Sequence, residues 1–122
     1  MEMRHLSDGG LSTGFGLDYK LLLPWPELNA PFEGAWCVVK PGDESMAHEH
    51  HEYEIFIGLQ GSGELIADGE RVPFNAGDIA RLPPQTHHQV RNVGDADFTY
   101  YAIWWDVQMS QDFTARHERE AG

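Results

Sequence analysis

An all-β fold is what this sequence predicts, and three observations carry the prediction. Short runs rich in Val, Ile, Phe, Tyr and Trp recur at close spacing between Ala35 and Trp105. The 13 glycines and 7 prolines among 122 residues supply the turns that break such runs. The dipeptide Asp68-Gly69 sits between two of the runs, and Asp-Gly supplies the positive φ angles that a two-residue hairpin demands.

Taken in chain order, residues 1 to about 30 are rich in Gly, Leu and Pro, as in Gly14-Phe-Gly16 and Leu21-Leu-Leu-Pro-Trp-Pro26, and show no helical period. They read as an irregular arm with room for one edge strand. The expected strands are Ala35–Val39, Glu54–Leu59, Glu64–Ala67, Arg71–Phe74, Ile79–Leu82, Gln89–Asn92 and Phe98–Trp105. Pro41, Pro73, Pro83 and Pro84 fall at run boundaries, where a missing N–H costs no ladder hydrogen bond. Beyond Asp106 the chain turns polar and charged, which reads as a short terminal helix or a frayed tail.

The length fits one domain, taken as residues 1–122 with a barrel core of about 35–106. Eight Lys+Arg against 20 Asp+Glu give a formal charge of −12, a balance that repels phosphate backbones and anionic lipid headgroups and argues against nucleic-acid and membrane partners. No apolar run reaches the roughly 18 residues of a membrane span, and the polar start lacks a signal-peptide core, so a cytoplasmic protein is expected. Cys37 is the single cysteine and lies in an apolar run, which suits a buried core thiol and leaves a pocket role as the alternative.

The histidines supply the chemistry. Side chains two apart on an extended segment share a face, so His48 and His50 can aim at one point while Glu49 faces outward. A turn over His51–Tyr53 would bring Glu54 back beside them and add an anionic oxygen ligand. A third imidazole from a distant strand would complete a metal site.

At this point the residues resemble the cupins, whose first motif reads G-x5-H-x-H-x3-E-x6-G. Gly42, His48, His50, Glu54 and Gly61 match it without a spacing error. The second motif, G-x5-P-x-G-x2-H-x3-N, is matched by Gly77, Pro83, His88 and Asn92. Gln85 stands where the family has glycine, so the turn before His88 is expected to avoid a positive φ. The resemblance implies a jelly-roll barrel holding one divalent metal through His48, His50, Glu54 and His88. Such mixed ligands suit Zn, Fe, Mn, Ni and Cu alike and do not name the metal; Zn or Fe is the expected ion, with Mn or Ni as alternatives, and an open coordination position is left for catalysis. Because the imidazoles must be deprotonated, metal affinity is expected to fall below about pH 6. His87 should face away from His88 by alternation, and His51 and Glu52 should meet solvent in the turn. His5 and His117 are given no role.

Substrate would enter beside the metal. Phe56 shares the parity of Glu54, and along the last run either Tyr100, Ala102 and Trp104 or Tyr101, Ile103 and Trp105 line the cavity. Arg81 lies inside the apolar run Ile79–Leu82 and would fork a substrate carboxylate if it points inward; the outward alternative is ordinary solvation. Glu54, Arg81 and Tyr100 are thus the candidate catalytic residues. His48-Glu-His-His-Glu-Tyr-Glu54 with Ile103-Trp-Trp-Asp106 also looks like cupins fused to or partnered with methionyl-tRNA-synthetase-like proteins in natural-product pathways. That resemblance implies a zinc-dependent rearrangement forming a nitrogen–nitrogen bond, with a separate synthetase-like partner. The functional expectation is a metal-dependent enzyme on a small polar metabolite, by that rearrangement or as an iron-dependent dioxygenase. The alternative is a non-catalytic small-molecule-binding or sensor barrel. Exposed sheet edges lead to the further expectation of a homodimer through the N-terminal arm.

Overall fold

The computed structural model describes every residue except Glu27, Asn29 and Gly122, and the side chains of His117, Glu120 and Ala121 also lie outside what is described. Nine strands and one helix follow in order: β1 (Ser12–Gly14), β2 (Leu17–Leu21), β3 (Glu33–Val39), β4 (Tyr53–Gln60), β5 (Ser62–Ala67), β6 (Glu70–Asn75), β7 (Ile79–Leu82), β8 (His88–Asn92), β9 (Phe98–Trp105) and α1 (Val107–Ala121). They form a six-stranded sheet, ordered β1-β2-β3-β9-β4-β7, and a three-stranded sheet, ordered β6-β5-β8. All pairings within both sheets are antiparallel.

Strict alternation explains how the sheets close on each other. Ala35, Cys37 and Val39 of β3 point inward with Phe98, Tyr100 and Ala102 of β9. They meet Phe56 of β4, Leu82 of β7, and Leu65, Phe74 and Val90 from the smaller sheet. Phe74 packs edge-on to Phe98 at 5.5 Å between ring centroids, an arrangement that adds to the area the rings bury. Phe98, Val39 and Val90 are no more than 1% exposed, so the core is dry at this end and opens toward the other, where the histidines stand.

The turns follow their residues. Asp68 and Gly69 adopt φ of 49° and 83°, the two positive angles of the expected hairpin. Gly61, at φ 91°, brings its α-carbon so close to β9 that an added Cβ would lie 2.6 Å from the Asp97 carbonyl oxygen, which no side chain could tolerate. The charged tail is a helix: Asp106 caps it by accepting the Met109 N–H at 2.8 Å.

Three expectations need correcting. Pro73 lies inside β6, opposite Glu64, and not at a strand boundary; β6 is an edge strand of the smaller sheet, where proline is tolerated. The N-terminal arm holds two strands, β1 and β2, because Leu17, Tyr19 and Leu21 alternate with polar residues and β2 pairs with β3 from Asp18↔Val38 to Leu21↔Ala35. Gln85 does take a positive φ, 64°, in the position the family gives to glycine. Its N–H donates to the His50 carbonyl at 2.7 Å, and holding that bond fixes the turn in the left-handed region despite the side chain.

Phe98 sets the first test. Phe98→Ala should cost about 3–5 kcal/mol in denaturant unfolding, whereas Ile79→Ala, at a 72% exposed position, should stay within about 0.5 kcal/mol. Equal effects at the two sites would contradict this core.

Candidate metal centre

Three separate pieces of chain bring the site together. Backbone hydrogen bonds join His48 and His88 reciprocally, the His48 N–H to the His88 carbonyl at 3.1 Å and the His88 N–H to the His48 carbonyl at 2.9 Å. This isolated bridge ties the loop before β4 to the start of β8 and sets two imidazoles side by side, 4.6 Å between ring centroids. His50 follows two residues on, with Glu49 exposed between, and Glu54 rises from β4 of the larger sheet. The ligating atoms of His48, His50 and His88 lie within 4.8 Å of one another.

The hydrogen bonds decide which ring nitrogen faces the centre. His48 Nδ1 lies 2.9 Å from the Met46 carbonyl oxygen, His50 Nδ1 3.2 Å from that of Glu52, and His88 Nδ1 2.8 Å from that of Thr86. A carbonyl oxygen only accepts, so each Nδ1 carries its proton. Each neutral ring therefore turns an Nε2 lone pair toward the others. Glu54 Oε1 sits 3.1 Å from His50 Nε2 and 3.2 Å from His88 Nε2. His88 Nε2 is buried and its contact with Glu54 misses hydrogen-bond geometry, so it has no proper partner.

Lone pairs and a carboxylate oxygen this close repel one another unless a cation lies among them. A proton on His88 Nε2 would meet part of that demand. Burial pushes the His88 pKa down, but the Glu54 carboxylate, the Thr86 carbonyl and more distant Asp68 outweigh it, and the net shift is upward. A divalent metal held by the three imidazole nitrogens would meet the same demand with the Glu54 carboxylate beside it, and the three backbone carbonyls that hold the Nδ1 protons orient the rings as metal sites require. The residues present fit the ion.

A cavity of about 400 Å³ opens beside this centre. Its walls include Phe56, Tyr100, Ala102 and Trp104, so the inward face of β9 is the even-numbered one, while Tyr53 and Trp105 stack outside at 5.8 Å. Tyr100 is 3% exposed; burial, then the neighbouring Cys37 and Glu54, push its pKa well up and keep the phenol neutral. Cys37 is both a core residue and part of the cavity wall. Burial lifts its thiol to about 12, the Tyr100 hydroxyl opposing this and the Glu54 charge adding to it.

Arg81 is not part of the site. It pairs with Ile55 on the outer face of the larger sheet and is exposed, because inward positions of β7 fall on Leu82 and β4 on Glu54 and Phe56. Among the described residues, neither Lys nor Arg lines the cavity. Glu52, expected in solvent, is half-buried in the cavity wall, and its carbonyl orients His50. His51 and His87 are exposed, as expected. Asn92 is buried away from the lining, donating to the Val39 and Ala96 carbonyls at 2.8 Å and accepting from Gly94 N–H, so it locks the turn after β8. Sequence reasoning missed Phe15, Leu17, Tyr19 and Leu21, which wall the cavity from the N-terminal arm. The period-two alternation of the last three was the available signal.

The raised His88 pKa gives a pH dependence with a definite sign. Protonated His88 stabilises the metal-free protein below the ordinary histidine range, and that contribution is lost as pH rises through the raised value. A metal competes with the proton, so the rise in Tm on adding zinc should be larger at about pH 8 than at about pH 6. A zinc-induced shift independent of pH would contradict the geometry. The Cys37 thiol, with a pKa of about 12, should resist iodoacetamide at about pH 8 until the protein is unfolded; modification at the rate of a free thiol would place it elsewhere.

The comparisons with known proteins agree with the geometry. The Cupin domain family matches residues 35–104. A cupin 2 conserved barrel domain protein from Salinispora arenicola superposes with a TM-score of 0.85 at 51% identity, covering 96% of this chain and 98% of that one. A Photorhabdus luminescens protein superposes equally well, TM-score 0.85, at 39% identity over 95% of this chain and 97% of its own. A 5-nitrosalicylic acid 1,2-dioxygenase from Bradyrhizobium sp is 32% identical over 73 residues, which is 57% of this chain and 35% of that protein. The chain spans between about a third and about half of the length of the curated relatives it matches. No helix among the described residues is long and apolar enough to cross a membrane. With the family motifs, the two-sheet barrel and the three-histidine centre in agreement, this chain belongs to the cupin domain family.

Proposed function

We propose that the chain is a metal-dependent enzyme in which His48, His50, His88 and Glu54 hold one divalent cation and a small molecule reacts in the adjoining cavity, with iron-dependent dioxygenation as the leading reaction. The observation that carries this reading is the gathering of the three imidazoles, with the Nε2 atoms of His50 and His88 within 3.2 Å of Glu54 Oε1, at the edge of an accessible cavity. A purely structural site would be closed by protein on all sides. The dioxygenase among the relatives supports the choice of reaction. Bound there, iron would supply Lewis acidity and a route to dioxygen.

The protein's own groups do the rest. Glu54 offsets part of the metal charge and so leaves the site tolerant of one further anionic donor. The Tyr100 hydroxyl, kept neutral by burial, lines the cavity as a hydrogen-bond donor to substrate. Aromatic and aliphatic walls exclude water from the reacting atoms.

Oxygen uptake by Fe(II)-loaded protein against a panel of salicylate, gentisate and catechol tests this directly. Uptake that needs substrate is expected; Tyr100→Phe should keep the metal and lower turnover about a hundredfold, and Glu54→Gln should weaken metal binding at least about tenfold. Turnover of a hydroxylamine ester by zinc-loaded protein under nitrogen would instead select the nitrogen–nitrogen rearrangement. Persistent ligand binding without product in either metal form would make the barrel a binding module.

A further inference from the structure

The turn between β1 and β2 contains Phe15 and Gly16, with Gly14 paired to Leu17, and both turn residues have positive φ, 56° and 77°. That is the two-residue hairpin turn whose first position favours Asn, Asp or Gly, because a larger side chain is strained there. Phenylalanine is a poor choice for this backbone. Core burial does not explain it, since the ring is 57% exposed. The turn is also held firmly: the Phe15 carbonyl accepts the Met46 N–H at 2.6 Å, and Gly16 packs so tightly that an added Cβ would lie 2.4 Å from the Glu44 carbonyl oxygen. The strained residue is thus pinned to the segment leading into His48.

What the ring does touch is the cavity. Phe15 lines its mouth beside Tyr19, 5.9 Å between centroids. Leu17 and Leu21 continue the wall, and Phe56 and Trp104 face them from β4 and β9. Apart from the histidines, the ionisable carboxylates and cations among the described lining residues are Glu52 and Glu54 alone, both at the metal end, and no Lys or Arg there balances a second anionic group farther out. A chain of charge −12 adds no attraction for one.

From these features we infer that Phe15 is a specificity-determining residue, and that the substrate is a small planar apolar ring carrying a single metal-seeking group and no charge at its far end. Phe15 and Tyr19 form an aromatic wall at the cavity mouth, and turn strain is tolerated because the ring is used there. The inference rests on the metal reading above.

Cobalt-loaded protein and three hydroxamates separate the two. Acetohydroxamate offers the metal-seeking group alone, benzohydroxamate adds a ring, and 4-carboxybenzohydroxamate adds a distal charge; binding is followed by the visible cobalt spectrum. Benzohydroxamate should bind about tenfold more tightly than acetohydroxamate, and the distal carboxylate should erase that gain. Phe15→Asn, which suits the turn, should keep the acetohydroxamate affinity and a Tm equal to or above wild type, while the ring preference falls to within about threefold. Equal affinity for all three ligands would overturn the aromatic wall and leave the metal site standing. A Phe15→Asn variant that loses several degrees of Tm, or keeps the full ring preference, would also overturn it. If no hydroxamate perturbs the cobalt spectrum, the open metal site falls and this inference with it.

Discussion

Everything in this molecule depends on one electrostatic constraint: two imidazole nitrogens whose protons are committed elsewhere lie within 3.2 Å of the same carboxylate oxygen. Backbone carbonyls at Met46, Glu52 and Thr86 fix that commitment. A neutral alternative would put the protons on Nε2 and abandon the Nδ1–H bonds to the three carbonyls, two of them at 2.9 Å or less. The site is therefore organised around a positive charge before any ion arrives. The upward shift of His88 is what that organisation produces when only a proton is present.

The barrel supplies the positions. The larger sheet contributes Glu54, the smaller sheet contributes His88, and the reciprocal backbone bridge between His48 and His88 closes the loop that spans them. Because Phe74, Phe98 and Val90 fill one end completely, the open end falls where the histidines are. Strained backbone gathers at that end too. Gln85 at φ 64° and Phe15 at φ 56° both sit in turns hydrogen-bonded to the ligand-bearing segments, Gln85 to His50 and Phe15 to Met46.

Much of this was legible in the sequence. Spacing alone brought His48, His50 and Glu54 to one point, and the family motif added His88, because ligand geometry on a fixed barrel tolerates no insertion. Strand runs from Ala35 onward were readable because alternation and turn residues agree there, as at Asp68-Gly69. Arg81 could not be placed, since its side in or out depends on the register of β7 against β4, a long-range pairing that local sequence does not encode. The same holds for the even-numbered face of β9. The arm was read as largely irregular because its glycines outweigh the short alternation Leu17-Asp-Tyr-Lys-Leu21, and only pairing with β3 makes it a cavity wall. Gln85 shows a motif position where the backbone demand outlives the glycine that normally meets it.

X-ray absorption at the metal edge of the loaded protein tests the central claim most directly. The account predicts one metal per chain with three imidazole nitrogens and an oxygen at about 2.0–2.2 Å, with the multiple scattering that imidazole rings produce. A shell of light oxygen donors without imidazole scattering, or fewer than three histidines, would contradict it.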